Sequence, residues 1–211
     1  MAAEPSDFSS IPAISIAALG RDAAATDRVV AEIGRACESA GFFYVVDHGV
    51  PHDAIDAIFA AARAFFALPQ ERRDALDVHR SPNFRGYVPM GFKGLGVPQR
   101  LLEAFQIMLE LGPDDPDVRA GSVMHGANVW PPDGPGFSAS AFRAAMEPYH
   151  DAVWRLSERV LSAFARALGQ APDYFQGYFT EPLTQLRLLH YPPFRGSKPL
   201  SLGVFPKGAG D

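Results

Sequence analysis

A chain of 211 residues fits one large domain or two small ones and is long enough to bury a substantial core. Its composition, 47% hydrophobic and 20% charged, is that of an ordinary globular protein, and 16 Phe point to a core built on large aromatic side chains. A net charge of -5, with Lys and Arg scattered along the chain, excludes the basic footprint of a nucleic-acid binder, and no apolar run approaches the ~18 residues of a membrane span.

The opening stretch Met-Ala-Ala-Glu-Pro-Ser-Asp lacks the charged and apolar regions of a signal peptide, so the cytoplasm is the expected compartment. Residues 11–16 alternate apolar and polar, as a short half-buried strand should. A helix is predicted over 22–40, with Gly41 as its C-terminal cap. Cys37, the single cysteine, excludes an intramolecular disulfide and a Cys-based zinc site, and reads as a buried thiol on the apolar stripe of Val29, Ile33, Ala36 and Ala40. Residues 42–46 form a continuous aromatic and β-branched run, expected to be a fully buried strand, which Asp47-His-Gly-Val-Pro51 breaks.

Ile55, Ile58, Phe59, Ala62, Phe65 and Phe66 recur at helical spacing and mark the clearest helix in the chain. Leu68-Pro69 ends it, and Pro69 opens a short charged helix reaching about Val78. Residues 81–96 are loop-rich around a strand candidate at 85–88, and 103–109 is a second strand candidate. Pro, Gly and Asp make 112–136 a long ordered loop. A long helix over about 138–168 follows, with a stripe of Phe142, Met146, Tyr149, Val153, Leu156, Val160 and Ala163, a kink expected at Pro148 and a stop at Gly169. Residues 183–191 are the last strand.

The six histidines are His48, His52, His79, His125, His150 and His190, and none is followed two positions later by an acid, the spacing that sets two ligands of a facial iron site on one side of a strand. His48 and His52 are four apart, but Gly49 and Pro51 prevent the helix that would bring them together, which leaves turn or capping roles. Glu147-x-x-His150 is half of a di-iron bundle signature without its second half and reads as a solvated helix face. The Gly-x-Gly at 94 and 96 lacks the third glycine and the strand-to-helix context of a phosphate cradle. Arg195 and Ser197 have the spacing of a dicarboxylate grip but lie in a Pro/Gly-rich loop, and that spacing reads as coincidence. From the residues alone, the chain is a mixed α/β domain without a demonstrable active site.

The ordered set of motifs goes further. Ile11-Pro-Ala-Ile-Ser-Ile16, Ala36-Cys-Glu-Ser-Ala-Gly-Phe-Phe-Tyr-Val-Val-Asp-His-Gly-Val-Pro51 and Phe65-Phe-Ala-Leu-Pro69 are followed by Arg85-Gly-Tyr87, Glu103-Ala-Phe105, Asn128-Val-Trp-Pro131 and Leu186-Arg-Leu-Leu-His-Tyr-Pro-Pro193. Together they resemble the isopenicillin N synthase-like branch of the Fe(II)/2-oxoglutarate-dependent oxygenases, from Ile11 to about Pro193. The resemblance implies an α+β fold in which a helical N-terminal half braces an incomplete double-stranded β-helix (jelly roll), with an N-terminal region at 1–115 and a long helix plus the first part of the oxygenase core at 116–211. It implies Fe(II) and 2-oxoglutarate as cofactors and a small-molecule substrate, with no nucleic acid or membrane partner.

In this family the metal comes from a His-x-Asp pair and a distant His, and an Arg-x-Ser pair binds 2-oxoglutarate, all beyond the His-Tyr-Pro-Pro strand. Here that stretch runs to Lys207-Gly-Ala-Gly-Asp211, which resembles the lead-in to the family's iron motif. The expectation is therefore a chain that lacks the iron site, has no catalytic or metal residue of its own and is inactive alone, the alternative being a non-catalytic remnant or binding module of the same fold. Two positions are carried over as cosubstrate or substrate contacts. Tyr191 matches the tyrosine that points toward a cosubstrate or substrate carboxylate, against packing on Pro192 and Pro193; Arg85 lies in the loop near substrate entry, against an ordinary surface arginine. Asp47 and His48 are expected to serve the turn. An exposed sheet edge predicts self-association.

Overall fold

A computed structural model describes residues 10–90 and 102–193. The glycines at 94 and 96, the Arg195 and Ser197 pair and residues 207–211 lie outside the described residues. The chain forms two compact units, Met1–Ala61 with Ser140–Pro182, and Ala62–Ala139 with Leu183–Asp211. These units interleave along the chain rather than dividing it at a single position.

The first unit opens with a β-α-β turn of chain. β1 (Ala13–Ser15) and β2 (Tyr44–Val46) pair in parallel, Ile14 opposite Val45, and a parallel pair needs a crossover, which α1 (Ala23–Ser39) supplies. Asp22 caps α1 by accepting the Ala25 amide at 2.7 Å, and Gly41, at φ +79°, ends it by donating its N–H to the Ala36 carbonyl at 3.0 Å. Ile14, Ile16, Val29, Val30, Ile33 and Ala36 close a core with Ala163 of the long helix α5 (Ala139–Ala167). α5 continues through Pro148. Its Arg159 donates to the carbonyls of Ile16 and His48, both at 3.1 Å, and Arg166 pairs with Asp27 of α1.

Two expectations for this unit are corrected. Cys37 is exposed rather than buried: the buried stripe of α1 runs Thr26, Val29, Val30, Ile33, Ala36, and a residue one step past Ala36 is turned about 100° away. The 42–46 run is not fully buried either. Tyr44 is 60% exposed, because β2 is covered on one side only, by Phe43 and Val45 against the α1 core.

α2 (His52–Phe66) holds the predicted helical run, though Phe59, placed on its apolar stripe by spacing, is exposed. The second unit then takes α3 (Gln70–Asp74), a 3-10 turn at Val78–Arg80, and the antiparallel sheet β3 (Gly86–Val88), β4 (Glu103–Ile107), β5 (Leu186–His190) in that order. β4 is the central strand and every one of its residues is buried. On one face Phe65 packs against Phe105 and Tyr87, at ring separations of 4.6 and 6.2 Å. On the other, Val88 and Ala104 meet Val78. The expected loop at 112–136 contains one helical turn, α4 (Pro116–Arg119), capped by Asp115. The described architecture is thus mixed helix and sheet.

Candidate functional site

β4 begins with a carboxylate where the core should be apolar. Glu103 is 3% exposed and still keeps both oxygens occupied: Oε2 accepts from the Tyr87 hydroxyl and from Arg73, and Oε1 accepts from His190 Nδ1 at 2.7 Å. A carboxylate can only accept, so His190 carries a proton on Nδ1. Gln70 closes the cluster, donating to the Tyr87 hydroxyl at 3.2 Å and accepting from Arg73 at 2.7 Å. Arg73 also lies over the Tyr87 ring, and Phe66 stacks on His190 at 5.0 Å.

This geometry explains the shifted ionisations. Burial pushes the Glu103 carboxyl up, but bonds from Tyr87 and His190 together with the Arg73 charge outweigh it, and the net shift is downward. Burial first, then the bond to Glu103, pushes the Tyr87 phenol up to about 12. The cluster is therefore a buried anion matched by the Arg73 cation and two further donors.

The β4–β5 register sets Glu103 opposite His190 and Phe105 opposite Leu188. Alternation along the strand then sends Arg187, Leu189 and Tyr191 to the other face of the sheet. Tyr191, the first residue after β5, is 66% exposed and Leu189 is 49% exposed. Tyr191 is thus accessible to a ligand, and the packing of its ring does not bury it.

Arg85 is not at the surface. Its residue is 0% exposed, and its guanidinium donates to Asn128 Oδ1 and to the carbonyls of Asn83, Met124 and Leu109. The reading as an ordinary surface arginine is corrected, and none of these contacts brings Arg85 together with Tyr191. Asp47, at φ +54°, accepts from Ser15 Oγ of β1 at 2.6 Å, and His48 Nδ1 accepts the Val50 amide at 3.0 Å, a contact within the turn. Glu147 pairs with Arg143 one helical turn away at 2.8 Å.

Among the described residues no three His, Cys, Asp or Glu side chains converge as a metal site requires. Nor, among the described residues, is any helix long and apolar enough to cross a membrane. Sequence reasoning missed the Glu103 cluster. The strand Glu103-Ala-Phe-Gln-Ile107 marks one member by its polar start, but nothing local to it points to the partners.

Residues 11–133 match the family described as non-haem dioxygenase in morphine synthesis N-terminal. The 2-oxoglutarate-dependent dioxygenase citB of Monascus ruber is 36% identical over 188 residues, covering 87% of this chain and 56% of that protein. Clavatol oxidase claD of Penicillium crustosum is 36% identical over 181 residues, covering 80% of this chain and 53% of its own length. The chain therefore spans about half the length of the curated relatives it matches. Among solved structures, a 2OG-Fe(II) oxygenase family protein from Caulobacter crescentus superposes with a TM-score of 0.73 at 27% identity, over 90% of this chain and 58% of that one. A full-length Neurospora crassa protein, solved in complex with alpha-KG, shares the fold at a TM-score of 0.71 and 23% identity, over 86% of this chain and 54% of its own. With the family matched over more than half of its residues, this chain belongs to the Fe(II)/2-oxoglutarate-dependent oxygenases.

Proposed function

We propose that this chain supplies the N-terminal region and the opening strands of the jelly-roll core of an Fe(II)/2-oxoglutarate-dependent oxygenase that acts on a small molecule. In this reading Tyr191 donates its phenolic hydrogen to a carboxylate, that of 2-oxoglutarate or of the substrate. The observation that supports it most is the continuity of the family match with the β4–β5 ladder, which ends at an exposed Tyr191. Arg85 enters as the residue that holds the 124–128 loop against β3, since it already donates to four oxygens of the protein, three of them backbone carbonyls.

Iron is the partner that these residues do not hold tightly by themselves. No histidine of the 211 residues is followed at two positions by an acid, and no converging ligand trio lies among the described residues. The same two observations favour a second reading, a binding module of this fold without catalysis. An anaerobic Fe(II) titration with 2-oxoglutarate present, followed by admission of O2 and an assay for succinate, tests this. No stoichiometric binding, and no succinate once O2 is present, are expected; one Fe(II) per chain, lost on substitution of a histidine, overturns the proposal that these residues do not hold iron. Among the described residues β5 has a strand partner on one side only, which supports self-association of the chain; a concentration-independent monomer in sedimentation counts against it.

A further inference from the structure

β5 carries leucine on both faces, with Arg187 on one of them and His190 on the other. Leu186 and Leu188 share a face with His190, and Leu189 lies on the opposite face with Arg187 and Tyr191. A slip of one residue in either direction would put Arg187 onto the covered face in place of Leu186 and Leu188, so the apolar pattern itself favours the observed register. The polar partners add to that preference. A slip in one direction sets Leu189 across from Glu103 and leaves one oxygen of a buried carboxylate without a donor. A slip in the other carries Tyr191 onto the covered face and His190 onto the open one.

We propose that the contact between Glu103 and His190 is the register lock of β5, and that Glu103 is therefore a positioning residue for Tyr191 on the opposite face. Glu103 suits this role because it is itself immobilised from three directions: by Arg73 of α3, by Tyr87 of β3 and by its own place in the central strand. His190 is fixed on its second side by the Phe66 ring. In this proposal the contact contributes specificity of pairing, the role for which a polar contact to a buried carboxylate is best attested. The consequence for a bound carboxylate rests on the reading of Tyr191 given above; the lock itself does not.

Glu103→Gln, His190→Phe and Tyr87→Phe in the isotopically labelled chain test the lock. Three readouts are followed: amide exchange strand by strand, the ring resonances of Tyr191, and the 15N shifts of the His190 ring. Tyr87→Phe leaves the Glu103–His190 contact in place and is expected to keep the Nδ1–H signature and the protection of β5. His190→Phe keeps a ring against Phe66 and removes the donor to Glu103. Glu103→Gln and His190→Phe are expected to speed exchange in β5 about tenfold or more relative to the β3–β4 pair and to shift the Tyr191 ring. Glu103→Gln also removes the Nδ1–H signature. Unchanged β5 protection and unchanged Tyr191 resonances in His190→Phe, whose side chain is 40% exposed in the wild type and so tolerates substitution, overturn the lock even where Glu103→Gln does not fold. A titration of the wild-type chain with 2-oxoglutarate, read at Tyr191, addresses the other claim: no response with an intact lock removes 2-oxoglutarate as the partner of Tyr191 and leaves the lock standing.

Discussion

Arg85 Nε donates to Asn128 Oδ1 at 3.0 Å, and the same oxygen accepts the Met108 amide at 2.9 Å. The Asn128 amide returns bonds to the Met108 carbonyl and to Glu110, at 2.8 and 2.9 Å. One arginine and one asparagine thus tie the approach to β3, the exit of β4 and the 124–128 loop together. Burial lowers the Arg85 pKa, partly offset by the charge of Glu110, and the guanidinium stays charged because its ordinary value is so high.

Arg85→Met is expected to destabilise the protein by about 3 kcal/mol, the cost of leaving buried carbonyl acceptors without donors. Arg85→Lys should recover little of that, because one ammonium does not span acceptors as divergent as Asn83, Met124 and Leu109. Urea denaturation of the two variants checks this, and a wild-type midpoint for either would show that the loop does not depend on Arg85.

The cluster around Glu103 predicts a specific response to pH at both ends of the scale. Glu103 has a depressed pKa in the folded state, so its stabilisation is present above the ordinary carboxylate range, about pH 4–5, and is lost as pH falls through the folded value. Tyr87 is raised from 10.0 to about 12, so its contribution is complete below about pH 10 and disappears as pH rises toward 12. Tyr87→Phe removes the alkaline loss and one of the donors that hold Glu103 down. The variant should therefore show a shallower acid dependence of melting temperature and lack the Tyr87-linked loss above pH 10. Identical pH profiles for wild type and variant would count against the cluster.

Gly86 sits at φ +111°, and a Cβ there would fall well inside contact distance of the Leu76 carbonyl oxygen. That oxygen has little freedom to move, because it accepts the Tyr87 amide at 2.8 Å. Gly86→Ala combines backbone strain with a backbone clash and should cost more than about 2 kcal/mol, with the loss seen in thermal melting. Gly41→Ala, at a positive φ but with open space around it, should cost about 1 kcal/mol.

The elements were legible wherever period and cap agreed. α1 was readable from its stripe and Gly41, and the strands from runs of β-branched and aromatic residues. The Glu103 cluster was not, because its members come from positions 70, 73, 87, 103 and 190, and no local spacing announces that five separated residues will meet. Arg85 misled for a related reason: an arginine in a glycine-containing loop reads as exposed unless its carbonyl partners, at 83, 109 and 124, are known. Tyr44 misled because an apolar run signals a strand but not whether both of its faces are covered.

The disagreement over Cys37 yields the sharpest test of helix phase. Ala36 and Cys37 are neighbours on α1, yet Ala36 is buried and Cys37 exposed. Cys37→Ser should change stability by no more than about 0.5 kcal/mol, as an exposed substitution does. Ala36→Leu adds volume to a packed contact with Ile33 and Ala163 and should cost about 1–3 kcal/mol. In native buffer the Cys37 thiol should react to completion with a thiol reagent at a rate close to that of the denatured chain. Slow labelling in the native state that becomes fast in denaturant would put the helix in the other phase, with Cys37 facing the core as the apolar spacing alone suggests.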